Sequence, residues 1–391
     1  MSDEKALLAA IREHPHEDTP RLVYADWLQE NGQPERGEFI RVQCELARLE
    51  PDDPRSEALT HREGALWRKH AKAWKAGLSK LLQVAPFHRG FPHPRRRAVT
   101  GSQFLKITSG DLAQAPLWDF RINQAQKTIV RVVASAAMAR VGILELPAAE
   151  FMDRPVEVLA AANFRNVADL HLSANWIGEP GVAALVANAS VRHLRVLTSY
   201  SSGLDDAAIA RLVSAPWYTA LRALAVGNNP FGPAGLRALV GAATGGALRE
   251  LGVRGLLVSR VEKRFDEESL AVLFRAPHLV ALSGLDLGAN YLGDRVTELL
   301  CSERTTFRLR RLMLDNNSLT DAGAERLAAW PGLATVETLI LSSNTIGPRG
   351  ARALVQSPHL TRLRMLWLEA NPLASARALL ADRFGEALKF H

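Results

Sequence analysis

The sequence predicts an α/β solenoid, a stack of short parallel strands each followed by a helical return, preceded by a small all-helical domain. Three observations carry this expectation. First, one short pattern recurs as VADLHLSANWI at 167–177, LRALAVGNNPF at 221–231, LSGLDLGANYL at 282–292, LRRLMLDNNSL at 309–319, VETLILSSNTI at 336–346 and LRMLWLEANPL at 363–373. Second, its asparagines fall at Asn175, Asn229, Asn290, Asn317, Asn344 and Asn371, and the last three intervals are equal. Third, two degenerate units fill the gaps. LRVLTSYSSGL at 194–204 puts Ser202 in the asparagine slot, and LRELGVRGLLV at 248–258 puts Leu256 there.

The spacing has a physical reading. Leucines two apart, such as Leu312 and Leu314, point inward from one face of a short strand, and the residue between them faces out. The asparagine sits where the chain turns off the strand, with an amide able to bond the backbone of neighbouring coils. Amphipathic segments such as GPRGARALVQS at 347–357 and DAGAERLAAW at 321–330 follow at helical spacing. The pattern is that of a leucine-rich repeat. A unit of this length with a helical return resembles the ribonuclease-inhibitor class. That resemblance implies a curved stack with a concave parallel sheet and convex helices. The interval from Leu256 to Asn290 is longer than one unit, so an insertion is expected near 259–266 as a loop or lengthened helix.

Composition narrows the function. With 391 residues, 47% of them hydrophobic, the chain can bury a large core. It lacks an uninterrupted apolar run long enough to span a membrane, and its start, MSDEKALLAAIREHP, is unlike a secretory signal. Cys44 and Cys301 form no framework and read as free thiols in a reducing compartment. A cytoplasmic protein is therefore expected. The ribonuclease inhibitor is cysteine-rich and this chain is not, so inhibition of ribonucleases is not carried over.

The N-terminal region, residues 1–80, reads as four helices. The first spans SDEKALLAAIREHP, with Leu7, Leu8 and Ile11 on one side. The second starts after Asp18 or Thr19 with Pro20 in its first turn, and Leu22, Val23, Trp27 and Leu28 form its apolar side. The third begins at Pro34 and buries Phe39, Ile40, Val42, Leu46 and Leu49; the fourth runs from Arg55 to Trp74 with Leu59, Leu66 and Trp67 inward. Residues 7–49 closely resemble the repeat-companion domain of planctomycete proteins, a short unit that precedes leucine-rich and other repeats. FHRGF at 87–91 is similar to the joining segment of such proteins. The resemblance implies domain order and transfers no catalytic residue. HPHED at 14–18 reads as a polar loop rather than a metal site, and Asp26 is expected to pair with Arg21, Arg36 or Arg41.

Residues 81–137 read as a joining segment and irregular cap, in which His88, Pro92, His93 and Pro94 argue against regular structure. Repeats are expected over 138–373. A capping helix is expected over 374–391 with Leu379, Leu380, Phe384 and Leu388 inward.

Function is sought on the outward face, because the inward leucines are structural. The residues between the strand leucines are His171, Thr198, Ala225, Gly252, Asp286, Met313, Ile340 and Trp367. Adjacent coils lie about 4.8 Å apart, so Met313, Ile340 and Trp367 form one apolar strip. Asp315, Glu369, Met365, Arg311 and Asp286 border it. This points to a non-enzymatic scaffold that binds a partner protein there; coverage by the C-terminal segment or by a second copy is the alternative occupant. Neither a cofactor nor a metal is implied, and no nucleophile–base pair or phosphate loop is present in the repeats. A different reading comes from residues 61–97, where ten Lys and Arg face Glu63 alone, a net of +9 against +7 for the whole chain. Arg68, Lys69, Lys72, Lys75, Arg95, Arg96 and Arg97, interleaved with Trp67, Trp74, Phe87 and Phe91, are the candidate nucleic-acid contacts.

Overall fold

In the computed structural model the described residues are all except 1–2, 15–16, 50–52, 94–97, 109–110, 112–118, 148–150, 152, 243–246, 256–264, 303–306 and 390–391. They form two compact units. One comprises Met1–Glu150, Ala161–Leu170 and Ser190–Arg192; the other comprises Phe151–Ala160, His171–Ala189 and His193–His391.

The first unit opens with helices α1 (Asp3–Glu13), α2 (Thr19–Glu30), α3 (Pro34–Leu46) and α4 (Arg55–Trp74). Leu8 and Ile11 of α1 pack with Tyr24, Ala25 and Leu28 of α2 and with Ile40 and Cys44 of α3. Val23, expected on the apolar side of α2, is 47% exposed, and Tyr24 and Ala25 take its place inside. The core runs one position further along the helix because α1 and α3 approach α2 from that side. Asp26 is held by Arg41 at 2.6 Å, one of the three arginines foreseen.

FHRGF forms regular structure, a correction to the reading of this segment. Strands β1 (Phe87–His88) and β2 (Phe91–Pro92) pair antiparallel about Arg89 and Gly90, both in the left-handed region. A Cβ on Gly90 would lie 2.4 Å from Cγ1 of Ile40, so only glycine both makes this turn and lets it sit on α3. Gln43 accepts from the Gly90 amide (2.7 Å) and donates to the Phe87 carbonyl (3.2 Å), while Arg36 donates to the Gly90 carbonyl (2.5 Å). Two residues of one helix thus bond the Phe87 carbonyl and both backbone groups of Gly90. Further on, β3 (Val99–Thr100), β4 (Asp119–Asn123) and β5 (Ile143–Glu145) pair parallel in chain order. Strand β6 (Asp169–His171) lies where the division between the units falls.

In the second unit the strands are β7 (Val196–Thr198), β8 (Ala223–Ala225), β9 (Glu250–Gly252), β10 (Gly284–Asp286), β11 (Arg311–Met313), β12 (Thr338–Ile340), β13 (Met365–Trp367) and β14 (Leu388–Lys389). Each is parallel to the next, and the leucines pair in register, Leu197↔Leu224↔Leu251↔Leu285↔Leu312↔Leu339↔Leu366. A helix follows each strand from β7 to β13, among them Asp206–Val213, Asp321–Ala328 and Pro348–Gln356. The fold is a leucine-rich-repeat solenoid with a helical segment ahead of it in the chain.

Two ladders of side chains tie the coils. Asn344 donates to the carbonyls of Leu314 (3.0 Å) and Leu341 (2.9 Å) and accepts from the amides of Asn317 and Leu319, both at 3.0 Å. Asn229, Asn317 and Asn371 bond their own and the preceding coil in the same way. The residue just before the slot is left-handed in coil after coil: Ala174, Ser201, Asn228, Ala289, Asn316, Ser343 and Ala370. That conformation costs an L-residue roughly 1 kcal/mol or more, and the buried asparagine amide, bonded on both sides, holds it. The second ladder was not foreseen. Asp206 accepts from the amides of Gly232 (2.8 Å) and Gly235 (2.7 Å), and Asp321 accepts from those of Gly347 and Gly350, both at 2.7 Å. An acid at the start of one helix thereby caps the next.

Most of the expected insertion at 259–266 lies outside the described residues; Phe265 is buried, and Asp266 caps helix Glu267–Arg275 through the Ser269 amide. At the C-terminus, helix Arg377–Phe384 buries Leu380 but leaves Leu379 45% exposed. Leu388, expected on that helix, belongs instead to β14 and pairs with Leu366. Gly385 breaks the helix, with a left-handed φ of 50°, and the chain returns to the sheet edge.

Candidate functional site

In parts of two outward columns of the second unit, glycine separates large side chains. In the column after the central strand position, Tyr200, Gly227, Arg254, Gly288 and Asp315 follow one another coil by coil. Each large side chain lies over the glycine beside it. A Cβ on Gly227 would sit 2.6 Å from Cε1 of Tyr200, and one on Gly288 would sit 2.3 Å from Nη1 of Arg254 and 2.7 Å from Oδ1 of Asp315. The same device recurs in the column before the strand centre, where Arg311 pairs with Glu250 across Gly284. In both cases an ion pair spans two coils, because the intervening coil presents no side chain.

Arg254 reaches across Gly288 and presents both terminal nitrogens to Asp315, Nη1 to Oδ1 at 2.9 Å and Nη2 to Oδ2. The Asp315 side chain is only 6% exposed, and its bonds hold the Arg254 guanidinium charged, above its ordinary value. Asp286 fares differently. It stands 3.6 Å from Nη1 of Arg254 and accepts one amide hydrogen bond, from Gly288 at 2.9 Å. Burial pushes its carboxyl above the usual carboxylate range, and these two contacts only partly offset it. Tyr200 is raised as well, by burial first and then by the charge of Asp286.

Beside this network lies a depression of about 220 Å³, floored by Ala225 and Gly252. Tyr200, Glu250, Asp286, Arg311 and Met313 form its walls. A Cβ on Gly252 would be 3.0 Å from the Tyr200 hydroxyl, so the floor is low because the residue is glycine. Of the candidates read from the sequence, Asp286, Arg311 and Met313 line this depression and Asp315 stands behind it. Glu250 and Arg254 were not singled out. Their signal was present in the sequence, as opposite charges two coils apart with glycine between them.

The remaining candidates lie further along. Met313, Ile340 and Trp367 are cross-strand neighbours, each half-buried, and Met365 pairs with Thr338 in the adjacent column. Glu369 is exposed. The Trp367 indole nitrogen is shielded from solvent and makes no hydrogen bond, so this side chain lies lower on the sheet than a freely projecting ring.

Residues of the basic segment are placed otherwise. Arg68, Lys69 and Lys72 are exposed on α4. Lys75, just past it, lies over the Trp67 ring at 4.7 Å. The aromatic rings proposed for stacking are engaged with one another. Trp67 and Trp74 stand 5.7 and 4.8 Å from Phe39, and Phe87 meets Trp67 edge-on at 4.9 Å. Arg36 is wedged among Phe39, Trp74, Phe87 and Phe91, and burial lowers its pKa to about 10. Arg95, Arg96 and Arg97 lie outside the described residues. Both cysteines are free, and burial pushes each thiol up to about 12, far from a nucleophile's range. Among the described residues no cluster of His, Cys, Asp and Glu is arranged to hold a metal ion, and no helix is long and apolar enough to cross a membrane.

A family model described as Leucine Rich repeat matches residues 332–355, which include β12 and most of the helix that follows it. Among solved structures, an internalin from Listeria monocytogenes is similar over 82% of this chain and 94% of its own, with 16% identity and a TM-score of 0.36. The Rad7 and Elc1 complex of yeast gives 13% identity and a TM-score of 0.42 over 91% of this chain and 80% of that one. No curated protein matches the sequence.

Proposed function

We propose that this leucine-rich-repeat protein is a non-enzymatic scaffold that docks a partner protein on the outward face of strands β7 to β13. The observation that carries the reading is the side-by-side placement of the depression over Gly252 and the half-buried run Met313, Ile340, Trp367. A mostly apolar depression with a few charged side chains in its walls, running into an apolar strip, is the anatomy of a binding surface, with a central anchor and a charged rim. Glu369, Arg311 and Asp286 supply that rim, Met365 extends the apolar strip, and Asp315 lies buried, holding Arg254 in place. Thiols held far above a nucleophile's range favour binding over catalysis. The spacing of 27 residues between Asn317 and Asn344, with a helical return, supports a ribonuclease-inhibitor-like subclass. Residues 1–80 are read as a repeat-companion domain. A cytoplasmic setting fits the free thiols. The partner is a protein rather than a nucleic acid, because the aromatic rings of the basic segment are spent on packing.

The test compares proteins retained from cell lysate by the wild type, Trp367→Ala and Ile340→Asp, identified by mass spectrometry. A specific subset is expected to be lost from both variants, since truncating a central anchor costs about 2 kcal/mol of binding energy. Thermal melts check that each variant stays folded. Identical retained sets from three folded proteins would remove this face from consideration.

A further inference from the structure

We propose that the depression over Gly252 receives the side chain of an arginine from the partner polypeptide. This rests on the reading of the sheet face as a docking surface and names the chemistry of what enters it. Charge favours a cation. Glu250, Asp286 and Asp315 stand against Arg254 and Arg311, three carboxylates to two guanidiniums. Arg254 commits both terminal nitrogens to Asp315, and Arg311 pairs with Glu250. The carboxylate left with the weakest compensation is Asp286, which lines the depression itself. It shares the single Arg254 guanidinium with Asp315, so two partly buried carboxylates face one cation, and a second cation can be received there.

Shape favours arginine among cations. The floor is Ala225 and Gly252, and the walls include the Tyr200 ring and the Met313 side chain. An arginine presents an apolar stem of three methylenes that such walls can cover, and a planar guanidinium that suits an aromatic face and a carboxylate together. The glycine at 252 is what opens the space, since any Cβ there would press on the Tyr200 hydroxyl. An anionic or purely apolar side chain would instead withdraw Asp286 further from water with only the Gly288 amide and a shared Arg254 to offset it. That is the cost by which this site discriminates.

The experiment uses the full chain labelled with ¹³C at its methionine methyl groups. The sequence holds five methionines, so the spectrum is simple, and Met313 reports from inside the depression. Three probes are titrated: N-acetyl-arginine methylamide, the citrulline analogue of the same size without charge, and spermidine. The arginine probe is expected to shift the Met313 methyl saturably with Kd in the millimolar range. The citrulline analogue should leave it in place, and Asp286→Asn should weaken the arginine response by about tenfold. Asp286→Asn keeps the acceptor for the Gly288 amide and should melt no lower than wild type, so its loss of response is not a folding defect. A Met313 methyl unmoved by the arginine probe overturns the proposal, as does an equal response to citrulline or an undiminished response in the variant. A spermidine response matching that of arginine would likewise overturn it, since a diffuse cation would then suffice. Because the readout is the depression itself, it stands apart from the Trp367→Ala comparison, and either result can fail alone.

Discussion

Asn344→Ala is expected to destabilise the repeat unit by about 3–5 kcal/mol. The side chain is 5% exposed and makes five hydrogen bonds to backbone, three given and two received. Alanine takes the side-chain partner from the buried Asn317 and Leu319 amides and from the Leu314 carbonyl, while the Leu341 carbonyl keeps its bond from Asn371, and each orphaned group costs about 1–3 kcal/mol unless water enters. It also releases the left-handed Ser343, whose conformation the asparagine holds. Equilibrium urea unfolding gives the value directly. A loss below about 1 kcal/mol would mean that water replaces the amide in the slot. The converse exchange is informative too. Ser202 occupies the slot with a hydroxyl that reaches the carbonyls of Leu172 (3.3 Å) and Tyr200 (3.1 Å). Ser202→Asn restores the repeat's own donor–acceptor pair and is expected to raise stability by about 1 kcal/mol. A lowered unfolding midpoint would show that the coil has closed over the smaller residue.

Arg254→Met is expected to cost about 3–5 kcal/mol at neutral pH, with most of that loss recovered in mild acid. Methionine fills much of the volume over Gly288 and removes the charge. Asp315, 6% exposed, and Asp286, 16% exposed, are then two neighbouring carboxylates without their cation. Asp286, already raised by burial, would stand higher still once the Arg254 charge that lowers it is gone. For an acid so raised, the native state binds the extra proton. Stability therefore rises as pH falls through the folded pKa and is lost as pH climbs. Comparing wild type and variant at pH 7 and at about pH 4.5 tests this, since the gap should narrow on acidification. A gap of equal size at both values would mean that Arg254 acts through packing rather than charge. Gly288→Ala approaches the same network from the other side, because its Cβ would enter the space held by Nη1 of Arg254.

The repeats were legible in the sequence because a solenoid is periodic along the chain. Leu312 and Leu314, or Asn317 and Asn344, repeat at intervals that backbone geometry alone imposes. Inward leucines, outward columns and the slot asparagines could therefore be assigned residue by residue. Helices of the N-terminal segment were legible for the same reason, through Pro20, Pro34 and their apolar spacing. The errors came where burial depends on which neighbour approaches. Val23 and Leu379 are apolar residues at plausible helical positions, yet the packing elements meet their helices from another side. FHRGF looked irregular because its order comes from outside the segment. Gln43, which bonds it, lies 44 residues before Phe87, and Arg36 lies earlier still on the same helix.

The charge network could be seen only once the coils were stacked. Arg254 and Asp315 are 61 residues apart in the chain and bond because Gly288 leaves the coil between them bare. Periodicity puts these residues in one column, two coils apart. It does not say that a guanidinium will lie down across a glycine, that Asp286 will be left with one amide and a distant cation, or that a hollow will open over Gly252. Those depend on side-chain length, on the rise between coils and on how far burial strengthens one ion pair at the expense of its neighbour. Scaffold and outward face follow from the order of residues alone, because backbone hydrogen bonding and leucine burial are set coil by coil. The chemistry of that face arises from contacts between coils, where three dimensions are needed to know which charge meets which.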